Sequence, residues 1–268
     1  MPKLIDISDP HDPRIDNYRD IRERDLVGRA GLFVAEGKVV VEKLISSGRH
    51  HPLSMLIAEK RLSGLKTLLA QLPVDLPVFV AAQAVLDAIA GFAMHRGILA
   101  IGRRSDVLDA DALLSTLDGD VDVLVLSGIA NHDNMGGIFR NAAAFGIAAV
   151  LLDADCCDPL YRKAIRVSVG AALLVPTARL DRGKDILALL ERHAFVPVAL
   201  SPAGTTPLAS WRPTRRNAML LGAEGPGLSP ELLLRAQSLR IAMAAEFDSL
   251  NVATTSGIVL HHLTTAKK

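Results

Sequence analysis

NHDNMGGIFRNAAAFG, residues Asn131–Gly146, lies between two apolar runs, VDVLVLSG (121–128) and IAAVLLD (147–153). Short apolar runs bounded by turn residues read as buried strands. The stretch between them is then a strand-to-helix turn and the helix that follows. A Gly-rich turn in that place commonly cradles a phosphate. This one matches neither GxGxxG nor GxxxxGKS. It presents Asn131 and Asn134, the Gly136-Gly137 pair and one arginine, Arg140, on a largely apolar helix. Asn134 has the side chain of an N-cap for that helix. Gly136 and Gly137 let a backbone or a ligand approach the helix start. Arg140, about a turn and a half further on, reads either as a solvated surface residue or as a cation directed back toward the strand ends.

Working outward toward the C-terminus, strand-like runs recur at ALLVP (172–176), FVPVALS (195–201), AMLLGAE (218–224) and LRIAMA (239–244), most of them separated by helix-like segments. The pattern predicts a parallel sheet with helices on both faces. Toward the N-terminus, FVAEGKVVVEKLISSG places Val40, Val41, Leu44 and Ile45 at helical spacing, with Gly48 as the stop. SMLIAE, LPVFVA and GILAIGRR read as strands, LSGLKTLLAQL and AQAVLDAIAGF as helices. These boundaries divide the chain into an α/β unit over 1–105, an acidic connector over 106–119 and a second α/β unit over 120–268.

The chain has 268 residues, half of them hydrophobic, and a net charge of +1, which excludes a disordered or wholesale basic protein. Aromatic residues, at 4 %, are too few for a platform of stacked bases. The two cysteines, Cys156 and Cys157, are adjacent, which suits neither a disulfide scaffold nor a thiolate zinc site. The polar, Pro-containing start does not read as a signal peptide, and no apolar run reaches the roughly 18 residues that span a bilayer. The expectation is a reduced, cytoplasmic protein. The histidine pairs His50-His51 and His261-His262 do not suggest a shared metal, because neighbouring side chains on one element point apart.

Ligands of open α/β sheets bind beyond the carboxyl ends of strands, so the loops there decide function. After AMLLG, Gly222, Gly225 and Gly227 surround Glu224 and Pro226, and Ser229-Pro230-Glu231 opens a helix. An acid among glycines is poor for phosphate and suits a cationic ligand or an arginine from elsewhere. After a strand ending at Met243, Ser249-Leu250-Asn251 opens an apolar helix rich in small residues, with Ser249 as its N-cap. Ser249 and Asn251 would then lie at the same rim as Glu224.

Taken in order, NxGxxxR, GxEGxGL and IxMxxxxxSLN resemble the three motifs of the SpoU (TrmH-like) branch of the SPOUT RNA 2′-O-ribose methyltransferases, and RKAIRVSVGAALLVP resembles the segment between the first two. FVAEGKVVVEKL and HRGILAI resemble, more loosely, an L30e-like substrate-binding domain. The resemblance implies a C-terminal trefoil knot that binds S-adenosylmethionine, with Gly222, Ile241, Met243 and Leu250 at the cofactor. It implies catalytic roles for Arg140, Asn134, Glu224, Ser249 and Asn251, an RNA substrate (ribosomal or transfer) and a homodimer. Arginine is a poor literal base, so Arg140 is expected to hold a phosphate and stabilise developing alkoxide charge. Arg14, Arg19, Arg22, Arg24 and Arg29 are either a charged helix paired with neighbouring acids or, with Lys163 and Arg166, phosphate contacts. The third motif departs from the family's Ile-Pro-Met by carrying Ala242. Two rivals remain: a Rossmann-type nucleotide enzyme, disfavoured by the missing GxGxxG, and a non-catalytic RNA-binding relative, which would not need the Arg140–Glu224–Asn251 set.

Overall fold

The computed structural model describes residues 2–19, 26, 30–91, 94–105, 109–244, 246 and 248–267. Arg22, Arg24 and Arg29 lie outside the described residues. Contacts divide the chain into two compact units, 1–106 with 160–174, and 107–159 with 175–268.

The first unit runs β1 (Leu4–Ile7), β2 (Leu32–Glu36), α1 (Lys38–Ser47), β3 (His51–Ala58), α2 (Lys66–Ala70), β4 (Val78–Ala81), α3 (Gln83–Ala90) and β5 (Ile98–Arg103). Its sheet has the order β1-β4-β3-β5-β2, with β1, β4 and β3 parallel and β5 antiparallel to both neighbours. Val40, Val41 and Leu44 turn the buried stripe of α1 inward, and Gly48 ends it at φ 62 as its position predicts. Glu36 ends β2 at 8 % exposure. Its Oε2 accepts from Arg162 Nε and Nη2 at 3.0 and 2.7 Å, and Lys43 Nζ donates to the Val169 carbonyl at 2.7 Å. A carboxylate buried that deeply needs such a partner, and these bonds tie 160–174 to this unit. Arg14 and Arg19 pair with Asp12 and Asp16 at 2.5 and 2.8 Å, so these two are engaged within their own segment.

The second unit opens with α4 (Ala110–Ser115), β6 (Val123–Ser127), α5 (His132–Ala144) and β7 (Ala149–Leu152). After the inserted segment, which carries α6 (Arg162–Val167), come β8 (Thr177–Arg179), α7 (Ile186–Arg192), β9 (Val196–Leu200), β10 (Thr206–Pro207), β11 (Asn217–Gly222), α8 (Pro230–Arg235), β12 (Gln237–Arg240) and α9 (Val252–Ala266). The seven strands form one parallel sheet in the order β10-β12-β9-β11-β6-β7-β8. Val123, Leu124, Leu126, Ala149, Val150, Leu151, Met219 and Leu220 are essentially inaccessible, as a sheet covered on both faces requires.

Three sequence expectations change here. The acidic connector contains α4, whose Ala110, Leu113 and Leu114 join the second unit's core. ALLVP is not a strand. Gly170 at φ 78 starts a 3-10 turn over Ala171–Leu173, and the strand follows at Thr177–Arg179. β12 ends at Arg240, which leaves Ile241, Ala242 and Met243 in an irregular loop.

Candidate functional site

The loops beyond β9, β11 and β12 and the start of α9 enclose a pocket of about 400 Å³. Leu200, Leu221, Leu239, Ile241, Met243, Leu250 and Val252 give it an apolar lining; Ser201, Glu224, Ser249, Asn251 and Thr255 supply polar groups. Among the sequence candidates, Gly222, Glu224, Ile241, Met243, Ser249, Leu250 and Asn251 all line it. Ser201, Pro202 and Thr255 line it too and were not anticipated. Ser201 and Pro202 follow a strand whose loop the rule on carboxyl ends already marked out, so the signal was present for them.

Gly222 lies where the loop folds back on itself. A Cβ there would come within 2.4 Å of the Gly227 carbonyl carbon and 2.5 Å of the Leu228 nitrogen. Gly227 N donates to the Ala223 carbonyl at 3.0 Å, closing the turn. Glycine is therefore required by the loop's own shape.

At the pocket, Asn251 bridges the first turn of α5 and the loop after β11. Its Nδ2 donates to Asn134 Oδ1 at 2.8 Å and to Glu224 Oε1 at 2.9 Å. Its Oδ1 accepts from the Ala253 and Thr254 amides at 3.0 and 3.2 Å. All four hydrogen-bonding positions of a primary amide are thereby filled. Asn134 is 7 % exposed, and its side-chain Nδ2 makes no hydrogen bond among the described residues. Glu224 is exposed and keeps its second oxygen free among them.

Both expected caps move. α5 starts at His132, and Asn131, not Asn134, caps it by accepting from the Asp133 and Asn134 amides at 2.8 and 3.2 Å. Asn134 falls inside the first turn, where its side chain is released to meet Asn251. α9 is capped by Asn251, and Ser249 is exposed, its hydroxyl bonded among the described residues only to Asp248 at 3.4 Å. Ser229, by contrast, caps α8 as expected.

α5 and α9 pack closely. A Cβ on Gly137 would meet Ala253 Cβ at 2.7 Å, and Asn141 Nδ2 donates to the Ala253 carbonyl and to Ser256 Oγ at 2.8 and 2.9 Å. Arg140 is exposed on α5, outside the pocket lining, and makes no hydrogen bond or ion pair among the described residues. The structure brings Asn134, Glu224 and Asn251 together, with Ser249 also lining the pocket; Arg140 makes no hydrogen bond to any of them. Lys163 and Arg166 are exposed on α6, in the first unit. The His261-His262 pair splits as expected of neighbours: His261 meets Phe145 edge-on and His262 stacks on Trp211. Among the described residues no helix is long and apolar enough to cross a membrane, and no three His, Cys, Asp or Glu side chains group as a metal site.

A parallel sheet with an apolar, polar-rimmed pocket beyond its strand ends defines a protein that takes a small organic ligand. Residues 122–261 match the SpoU rRNA Methylase family, and the chain belongs to it. It is 39 % identical over 268 residues to a Mycobacterium bovis protein described as an uncharacterized tRNA/rRNA methyltransferase, covering 97 % of this chain and 91 % of that one. It is 31 % identical over 195 residues to the 23S rRNA (guanosine-2′-O-)-methyltransferase RlmB of Acinetobacter baylyi, covering 70 % and 78 %. The AdoMet-bound rRNA methyltransferase of Sinorhizobium meliloti shares the fold at a TM-score of 0.81 and 21 % identity, over 97 % of both chains.

Proposed function

We propose that the protein methylates a ribose 2′-hydroxyl in RNA, ribosomal RNA before transfer RNA, using S-adenosylmethionine. The observation that carries this reading is the Asn134–Asn251–Glu224 bridge at the mouth of the pocket. Family membership and the 2′-O activity in the name of the Acinetobacter relative support it. The pocket suits the cofactor: its apolar side chains would accept an adenine plane, its hydroxyls and amide the polar ends, and the Glu224 carboxylate favours a cationic ligand. Gly222, Ile241, Met243 and Leu250 hold it. Bound there, S-adenosylmethionine supplies an electrophilic methyl group.

The protein's task is alignment, because the attacking oxygen must sit about 3–3.5 Å from the methyl and in line with it. Asn251 has no free valence for substrate, so it acts as the frame. Its two bonds turn the Asn134 amide nitrogen and the second Glu224 oxygen outward as a donor and an acceptor for the ribose. Ser249 adds a hydroxyl at the rim. Arg140, permanently charged and unengaged, takes the RNA phosphate and stabilises negative charge on the developing alkoxide. The first unit is an L30e-like RNA-binding domain, with Arg22, Arg29, Lys163 and Arg166 as phosphate contacts. The exposed face of α5 and α9, which includes Ile258 at 39 % exposure, joins a second copy in a homodimer. The pocket loops form a trefoil knot, and the protein works in the cytoplasm.

The test is methyl transfer from radiolabelled S-adenosylmethionine to unmodified 23S rRNA and tRNA transcripts, followed by alkaline hydrolysis. A single linkage made resistant to base is expected, since a 2′-O-methyl removes the nucleophile that cleaves RNA. Label on a base, or no label with either RNA, contradicts the proposal.

A further inference from the structure

Asp153 follows β7, outside the pocket, and its carboxylate is saturated. Oδ2 accepts from Ser127 Oγ at 2.7 Å and from the Gly128 amide at 2.9 Å. Oδ1 accepts from the Asp155 and Cys156 amides, both at 3.0 Å. An ionised carboxylate has about four lone-pair sites, so none remains for a ligand. Two of these bonds shape its own loop; the other two reach across to the turn that joins β6 to α5.

The same turn is gripped a second time by the residues after Asp153. Cys156 Sγ donates to the Leu126 carbonyl and accepts from the Ile129 amide, each at 3.3 Å, and Cys157 N donates to the Ile129 carbonyl at 2.8 Å. Arg179 Nη1 fixes the gripping loop, donating to the carbonyls of Asp153 and Cys156 at 3.1 and 3.0 Å. Burial pushes the Cys156 thiol up to about 12, so it serves as a neutral hydrogen-bonding group and not as a nucleophile.

What is gripped bears on both arms of the site. Gly128 sits at φ +68, and a Cβ on it would come within 3.2 Å of Ala223 Cβ, next to Glu224. Asn131, three residues further on, caps α5 and so sets Asn134. We infer that Asp153 is a positioning residue for methyl transfer: through Ser127 and Gly128 it fixes the β6–α5 turn, and with it the placement of Asn134 against Glu224. The inference rests on the methyltransferase reading above. Neither Asp153 nor Ser127, Gly128 or Cys156 lines the pocket, so the brace should act on the transfer step and not on cofactor affinity.

Asp153→Ala and Asp153→Asn test this, with S-adenosylmethionine titration calorimetry, methyl-transfer kinetics on unmodified 23S rRNA and tRNA transcripts, and backbone hydrogen exchange. In Asp153→Ala, kcat should fall about tenfold or more while the cofactor Kd stays within about threefold, and the Gly128 and Ile129 amides should exchange faster. Asp153→Asn keeps one acceptor oxygen and should fall between; if the alanine variant does not fold, the asparagine variant carries the test with the same split. An unchanged kcat overturns the inference, and so does a Kd that weakens in step with kcat, which marks general loss of structure. If the wild type transfers no methyl to either RNA, the methyltransferase reading fails. Hydrogen exchange then still decides the brace: unchanged protection at Gly128 overturns it.

Discussion

Replacing Asn251 separates two jobs that one side chain performs. Its oxygen caps α9, and its nitrogen bridges Asn134 and Glu224. Removing an N-cap costs about 1 kcal/mol. Leaving the buried Asn134 oxygen without a partner adds about 1–2 kcal/mol, whereas the exposed Glu224 oxygen recovers its bond from water. Asn251→Ala should therefore lose about 2–3 kcal/mol of unfolding free energy. Asn251→Ser keeps a capping oxygen but has no amide nitrogen, so it should lose about 1 kcal/mol less. Both variants lose the bridge entirely, so their methyl-transfer kcat should fall alike, by about 10–100-fold, the equivalent of about 1.4–2.7 kcal/mol. Urea unfolding and single-turnover transfer, measured on the same preparations, give both quantities. A serine variant with nearly full transfer would refute the bridge. Equal stability of the two variants would refute the capping assignment.

Three further outcomes follow from other parts of the structure. Arg140→Lys keeps the charge but not the planar fork, and transfer should drop at least about tenfold; nearly full turnover would mean that point charge alone suffices. Gly137→Val drives a side chain into Ala253, so the α5–α9 contact should be destabilised by about 1–3 kcal/mol, read as a lower urea midpoint with unchanged slope. Burial against Phe33, then the charges of Arg49, Arg104 and His51, hold His50 down to about 4. The unfolded chain, with a histidine pKa of about 6.5, takes up that proton first, so His50 erodes stability as pH falls from about 6.5 toward 4 and has no effect above that window. His50→Asn should flatten that part of the stability profile, and a slope identical to the wild type would remove His50 as its source.

The elements that read clearly in the sequence are those whose signal is local. The β6 and β11 runs hold unbroken apolar stretches, Val123–Leu126 and Ala218–Leu221, each followed closely by a glycine, and each became a central strand of the parallel sheet. Composition alone misled at ALLVP, where positive φ at Gly170 commits the chain to a turn before the strand can start. It misled again at the acidic connector, where Leu113 and Leu114 carry enough apolar surface to dock α4 on the core. Choosing between Asn131 and Asn134 as the cap needed the third dimension. Either asparagine can close the helix, but only Asn134 has a partner waiting 117 residues away in Asn251. The Asp153 brace was equally hidden, because its donors Ser127 and Gly128 lie on the neighbouring strand's turn.

The pocket makes the most direct claim, and titration calorimetry with S-adenosylmethionine tests it. Leu250 lines the pocket yet is 38 % exposed, so Leu250→Arg should fold normally while filling part of the pocket with a long cationic side chain that would repel a cationic ligand. The wild type should bind saturably, one to one, and Leu250→Arg should not. Binding of equal strength by both proteins would place the cofactor elsewhere, and no binding by the wild type would contradict the reading of the pocket itself.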